Sequence, residues 1–165
     1  MKRRALMLWT AAWCALGAPA AGAACPPWPA WESFRAHFVS EGGRVIDPAE
    51  AAQYTTSEGQ SYGLFFALAG NDRASFERIL RWTEDNLAGG DLTARLPAWQ
   101  WGRRADASWG VTDANAASDA DLWIAYALAE AGRLWQAPQY SALAQLLAER
   151  IVREETAQVA GLGRV

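Results

Sequence analysis

Cysteine, histidine and strand-like alternation are all scarce in this chain, and each shortage excludes something. The two cysteines are Cys14 and Cys25, and the one histidine is His37, beside Phe38. No His/Cys cluster stands at metal-ligand spacing, so neither a metal nor another cofactor is expected. Cys14 falls in the leader described below, which leaves Cys25 alone and rules out an internal disulfide. Apolar/polar alternation of useful length is missing, which argues against a β-rich domain. Basic charge is also short. Against 18 Asp and Glu there are 15 Lys and Arg, a formal net charge of −3, so nucleic acid is a poor partner.

What is present begins with an export signal. Lys2, Arg3 and Arg4 precede an apolar stretch from Ala5 to Leu16 and then small residues, the layout of a secretory leader spanning residues 1–23. The apolar stretch is well short of the roughly 20 residues a spanning helix needs, so no stable membrane anchor is expected. A lipid-modified Cys25 is the alternative, opposed by Gly22 where lipoprotein signals carry a large aliphatic residue. Loss of the leader's basic residues takes the formal charge to −6. The destination is the periplasm or the medium. The 165 residues, 52% of them hydrophobic, suffice for one packed domain over 24–165.

Helical spacing recurs along that domain. Trp31, Phe34 and Phe38 mark a first amphipathic helix that Pro29 can start and Gly42-Gly43 can stop. A second helix runs from about Ser57 to Ala69 and is apolar on nearly every side, as a helix inside a bundle or barrel would be. A third spans about Ala74 to Leu87, a fourth about Ser118 to Trp135, and Pro138 opens a fifth carrying Tyr140, Leu143, Leu147 and Ile151. Short turns between them imply antiparallel neighbours. Residues 88–117 break the pattern with Gly89-Gly90, Pro97 and three tryptophans, a long segment of the kind that carries function.

Two of the helices open on carboxylates. The run Thr55-Thr56-Ser57-Glu58-Gly59-Gln60-Ser61-Tyr62-Gly63 starts the second, and Ala117-Ser118-Asp119-Ala120-Asp121 starts the fourth. Thr55 with Glu58, and Ser57 with Gln60, fit capping-box spacing, so a helix-start signal alone would explain Glu58. Ser118 with Asp121 reads likewise as a cap, which makes Asp121 structural. Eight tryptophans lie beyond the leader, several beside polar residues. Indole rings combine large apolar area with an N–H donor and stack on sugars, although they also fill cores.

These two runs, together with Pro97-Ala98-Trp99-Gln100-Trp101-Gly102, resemble glycoside hydrolase family 8, and within it the periplasmic endo-β-1,4-glucanases that accompany bacterial cellulose synthesis. The resemblance extends from about Trp28 to Glu155. It implies an all-α fold, the (α/α)6 toroid of helical hairpins, of which this chain supplies about the first half. It implies hydrolysis of a β-1,4-linked glucan with inversion, and association with the cellulose-synthesis machinery. Glu58 matches the family's general acid. Asp119 matches the aspartate that grips the sugar on the glycone side and holds its distorted ring. Trp99 matches a stacking subsite tryptophan, with Trp101 and Tyr62 as weaker candidates for the same cleft.

An inverting glycosidase also needs a base, set across a carboxyl separation of roughly 6.5–9.5 Å. In the resembling branch that base lies downstream of the matched region, so no residue here is assigned to it. After Glu155 the helical pattern fades, and the chain reads as a partial product whose open helix faces favour association. Two rival readings remain at this stage. One is a noncatalytic glycan-binding or scaffold protein, and the other is the same family acting on chitosan or xylan.

Overall fold

A computed structural model of the chain describes residues 28–46, 48 and 51–165. The leader, its cleavage site and Cys25 lie outside the described residues. Five helices appear where the apolar spacing places them: α1 (Pro29–Phe38), α2 (Ser57–Ala69), α3 (Arg73–Leu87), α4 (Ser118–Leu134) and α5 (Pro138–Glu154). Local signals explain their ends. Pro29 and Pro138 occupy first-turn positions, where a missing N–H costs nothing. Asp72 caps α3, its Oδ1 accepting from the Ser75 backbone N–H at 3.0 Å.

Packing follows the hairpin logic of an (α/α)6 toroid. Helix α2 lies between α3 and α4, and α4 packs in turn against α5. The core is the seam between these helices, where Leu64, Phe76, Ile79, Ile124, Leu128 and Leu147 are fully buried. Burial of each such side chain contributes about 2 kcal/mol relative to exposure. At Gly132 the α4 and α5 backbones approach so closely that an added Cβ would lie 2.8 Å from the Ser141 backbone nitrogen. Helix α1 is pinned from outside. Trp31 Nε1 donates to Asp72 Oδ2 at 3.3 Å, and Arg35 pairs with the same oxygen at 3.1 Å.

The absence of strand alternation is misleading in one place. Residues 88–117 hold two strands, β2 (Gln100–Arg103) and β3 (Trp109–Asp113), and β2 also pairs with β1 (Thr55–Thr56) to complete an antiparallel sheet in the order β1-β2-β3. These strands are short, and a register shift between Gln100 and Trp101 disrupts the ladder, so a period-2 pattern has no room to develop. A second small hairpin joins β4 (Gln158–Val159) to β5 (Gly163–Arg164).

The Ser118–Asp121 cap also differs from expectation. The residue flanking α4 is Ala117, and no side chain caps that end. Asp121 instead turns inward and is buried.

Candidate active site

The β1–β2–β3 sheet delivers the loop tryptophans to the helix starts. Trp99 is the junction. Its carbonyl accepts from the Ser57 backbone N–H at 2.9 Å, and its own N–H donates to the Asn115 carbonyl at 2.7 Å. One residue thus fixes the start of α2 beside the approach to α4, which sets the two helices running the same way. Glu58 and Asp119, in their first turns, are consequently brought to one end of the molecule.

Neither capping box forms at α2, and this frees Glu58. Thr56 is the cap, its Oγ1 accepting from the Gly59 N–H at 3.2 Å. Gln60 is buried and serves as a structural tie. It accepts from Val45 N at 2.6 Å and donates to Thr83 Oγ1 at 2.9 Å and to the Gly43 and Ile79 carbonyls at 3.3 Å. The Glu58 carboxylate, only partly covered, is held by side chains alone. Its Oε1 accepts from Trp99 Nε1 at 2.9 Å, and its Oε2 has a long 3.4 Å contact with Ser57 Oγ. One oxygen is therefore oriented by the indole and the other is left nearly free.

An exposed apolar face continues from these carboxylates. Tyr62, one turn beyond Glu58, is 45% exposed rather than turned inward. It lines a groove of about 450 Å³ with Tyr54, Thr56, Gly59 and Gln100 on the α1 side of α2. On the other side a cavity of about 430 Å³ is lined by Phe65, Asp119, Leu122, Trp123 and Tyr126. Phe65 meets Trp123 edge-on at 4.9 Å between ring centres. Asp119 and Tyr62 thus open onto different grooves flanking α2.

Trp101 belongs to a separate cluster. Its ring stacks on Trp109 at 5.1 Å and meets Trp82 edge-on at 5.3 Å, and the Arg44 guanidinium sits 4.4 Å from its centre. Arg44 also donates from Nε to Thr55 Oγ1 at 2.7 Å, and its burial lowers its pKa. This aromatic and cationic group clamps the sheet to α3. His37 is exposed on α1, its Nδ1 2.8 Å from the Ser33 carbonyl oxygen. Among the described residues no group of three or more His, Cys, Asp or Glu is placed to hold a metal ion.

Residues 4–165 match the description of glycosyl hydrolases family 8. The chain belongs to that family. It is 57% identical over 141 residues to an endoglucanase of Escherichia coli O157:H7, covering 86% of this chain and 38% of that protein. It is 48% identical over 166 residues to an endoglucanase of Xanthomonas axonopodis pv. citri, covering 98% of this chain and 43% of that one. Among solved structures, the endo-1,4-D-glucanase of Vibrio fischeri ES114 superposes with a TM-score of 0.80 at 58% identity, over 83% of this chain and 39% of that chain. The chain thus spans about two fifths of the length of these family 8 relatives.

Several site-building residues carried no readable signal in the sequence. The scaffolding role of Gln60, the Arg44 clamp and the inward turn of Asp121 all depend on partners 11 to 34 residues away or more. Phe65, Trp123 and Tyr126 were legible as apolar, but an apolar residue on a helix reads as core. Their outward face is a tertiary fact.

Proposed function

We propose that this chain carries the acid half of an endo-acting β-1,4-glucan hydrolase that works with inversion. The observation that carries the reading is Glu58 itself. Standing in the first turn of α2, it is free of any backbone capping bond, and the indole N–H of Trp99 orients it from the side. With Oε1 held, Oε2 is the oxygen that presents a proton to the glycosidic oxygen. The leaving group then departs as a neutral alcohol, as an acetal cleavage requires. Asp119 takes the sugar hydroxyls on the glycone side, and hydrogen bonds there that tighten as the ring flattens contribute several kcal/mol in glycosidases. Trp99 offers its face to a glucose ring, and Tyr62 extends the apolar contact along α2. Trp101 acts through the sheet, by keeping Trp99 in register.

No described residue is assigned the role of base. Export to the periplasm through the leader, and work beside the cellulose-synthesis machinery, are part of the same proposal. They are supported by the leader's composition and by the endoglucanase relatives. Chitosan and xylan are less favoured, because the relatives named above are endoglucanases.

The deciding experiment measures release of reducing ends from carboxymethyl cellulose by the full chain and by Glu58→Gln. Loss of general acid catalysis is expected to lower the rate by about 10²- to 10⁴-fold. Equal rates would remove Glu58 from the chemistry. Binding of cello-oligosaccharides with no hydrolysis by either form would favour the glycan-binding reading.

A further inference from the structure

The Asp121 side chain is fully buried, yet neither of its oxygens receives a hydrogen bond, and Oε2 of Glu155 is buried and unpartnered in the same way. An unsatisfied buried polar atom costs about 1–3 kcal/mol, and more when charged, so two such groups side by side require an account. Asp121 lies in the first turn of α4, Glu155 closes the end of α5, and after desolvation the Glu155 carboxyl is the neighbour that acts most strongly on Asp121. As carboxylates both are acceptors only, and neither can serve the other. With one proton between them, each supplies what its neighbour lacks.

We propose that Asp121 and Glu155 share a single proton, and that this buried hydrogen bond positions the first turn of α4 and with it Asp119. The surroundings favour the arrangement. Desolvation, then the Glu155 charge and hydrogen bond, then the Asp119 and Glu58 charges push Asp121 up to about 8. Among the described residues no cation answers them. Arg95 lines the same cavity as Glu155, but its guanidinium lies against Gly89. Arg150 and Arg153 are both paired with Glu154. When the proton leaves, two like charges face each other with their oxygens buried and unpartnered, and the turn that carries Asp119 loses its tie to α5. The consequence for Asp119 rests on the glucan reading above, whereas the shared proton does not.

Two measurements on the full chain separate these claims. In a carboxyl-carbon NMR titration, Asp121 is expected to titrate near pH 8, and Glu155→Gln, which removes the like charge and adds a donor, is expected to move that midpoint downward. An Asp121 midpoint in the ordinary carboxylate range, or one unmoved by Glu155→Gln, overturns the shared proton. In calorimetric titrations with cello-oligosaccharides, the natural chain is expected to lose affinity as the pH passes 8. Asp121→Asn, which keeps a donor facing Glu155, is expected to bind without that alkaline loss. The same alkaline loss in both proteins overturns the positioning role. Absence of binding by the natural chain at every pH, with the NMR midpoint near 8, would sink the glucan reading and leave the shared proton standing.

Discussion

Gln60 illustrates how a side chain three positions from Ser57 can look like a capping partner and be something else. Its amide is buried and bonds to Gly43 and Val45 in one segment and to Ile79 and Thr83 on α3. Shortening it to Ala leaves those groups unpaired, and Gln60→Ala is expected to lower unfolding stability by about 2–5 kcal/mol in urea titrations. Sequence spacing cannot distinguish this role from a capping box, because both start from the same residue at the same helix end. The same blindness applies to Asp121, whose spacing from Ser118 fits a cap while the side chain points the other way. Glu58 differs. Its surrounding run identified it through family resemblance, and the structure adds its release from the backbone and its bond to Trp99.

Helix boundaries were the most legible elements, since apolar periodicity, first-turn prolines and terminal glycines all act locally. The α4–α5 hairpin shows what periodicity cannot reveal. At Gly132 an added methyl meets Ser141 twice over, its side-chain hydroxyl first and then its backbone nitrogen at 2.8 Å, which cannot swing aside. Gly132→Ala is accordingly expected to cost about 1–3 kcal/mol by overpacking, despite alanine's better helix propensity, as read by thermal melting. The sheet was the least legible element, because its strands are very short and the ladder between residues 55–56 and 100–101 depends on pairing across some 45 residues. At α3, Asp72→Ala removes the cap and the anchor of Trp31 and Arg35 together, and a loss of about 1–2 kcal/mol is expected. Desolvation raises the Asp72 pKa, but the Ser75 hydrogen bonds, the Trp31 bond and the Arg35 charge outweigh it and hold the carboxyl below its ordinary value. That stabilisation is complete above the unfolded pKa and is lost as pH falls through the folded one. An acid-side decline in melting temperature that Asp72→Asn flattens is the expected signature.

For the molecule as a whole, Asp72 and Asp121 act at opposite ends of the pH range. Asp121 has a folded pKa raised to about 8, above its unfolded value, so the proton it binds favours the folded state. Its stabilising contribution is complete below the unfolded pKa and declines as pH rises through about 8. Melting curves from the ordinary carboxylate range up to about pH 8 are expected to show that decline in the natural chain and a weaker one in Asp121→Asn. The open side of the helical layer has its own consequence. Leu122, Trp123, Tyr126 and Leu134 are all exposed on α4, a contiguous apolar face of the kind that drives association. Sedimentation velocity is expected to show concentration-dependent association, reduced in the double variant Leu122→Glu with Leu134→Glu.

Order and spacing along the chain settled the helices, the all-α class, the family and the two carboxylate-bearing runs, because each of these is written in contiguous residues. Three-dimensional packing settled which of those carboxylates is free, which is buried, and which tryptophan meets Glu58. Those outcomes depend on contacts between segments tens of residues apart. A local pattern can specify that a side chain begins a helix, but only the neighbours folded against it decide whether its oxygens meet a backbone amide, an indole or another acid.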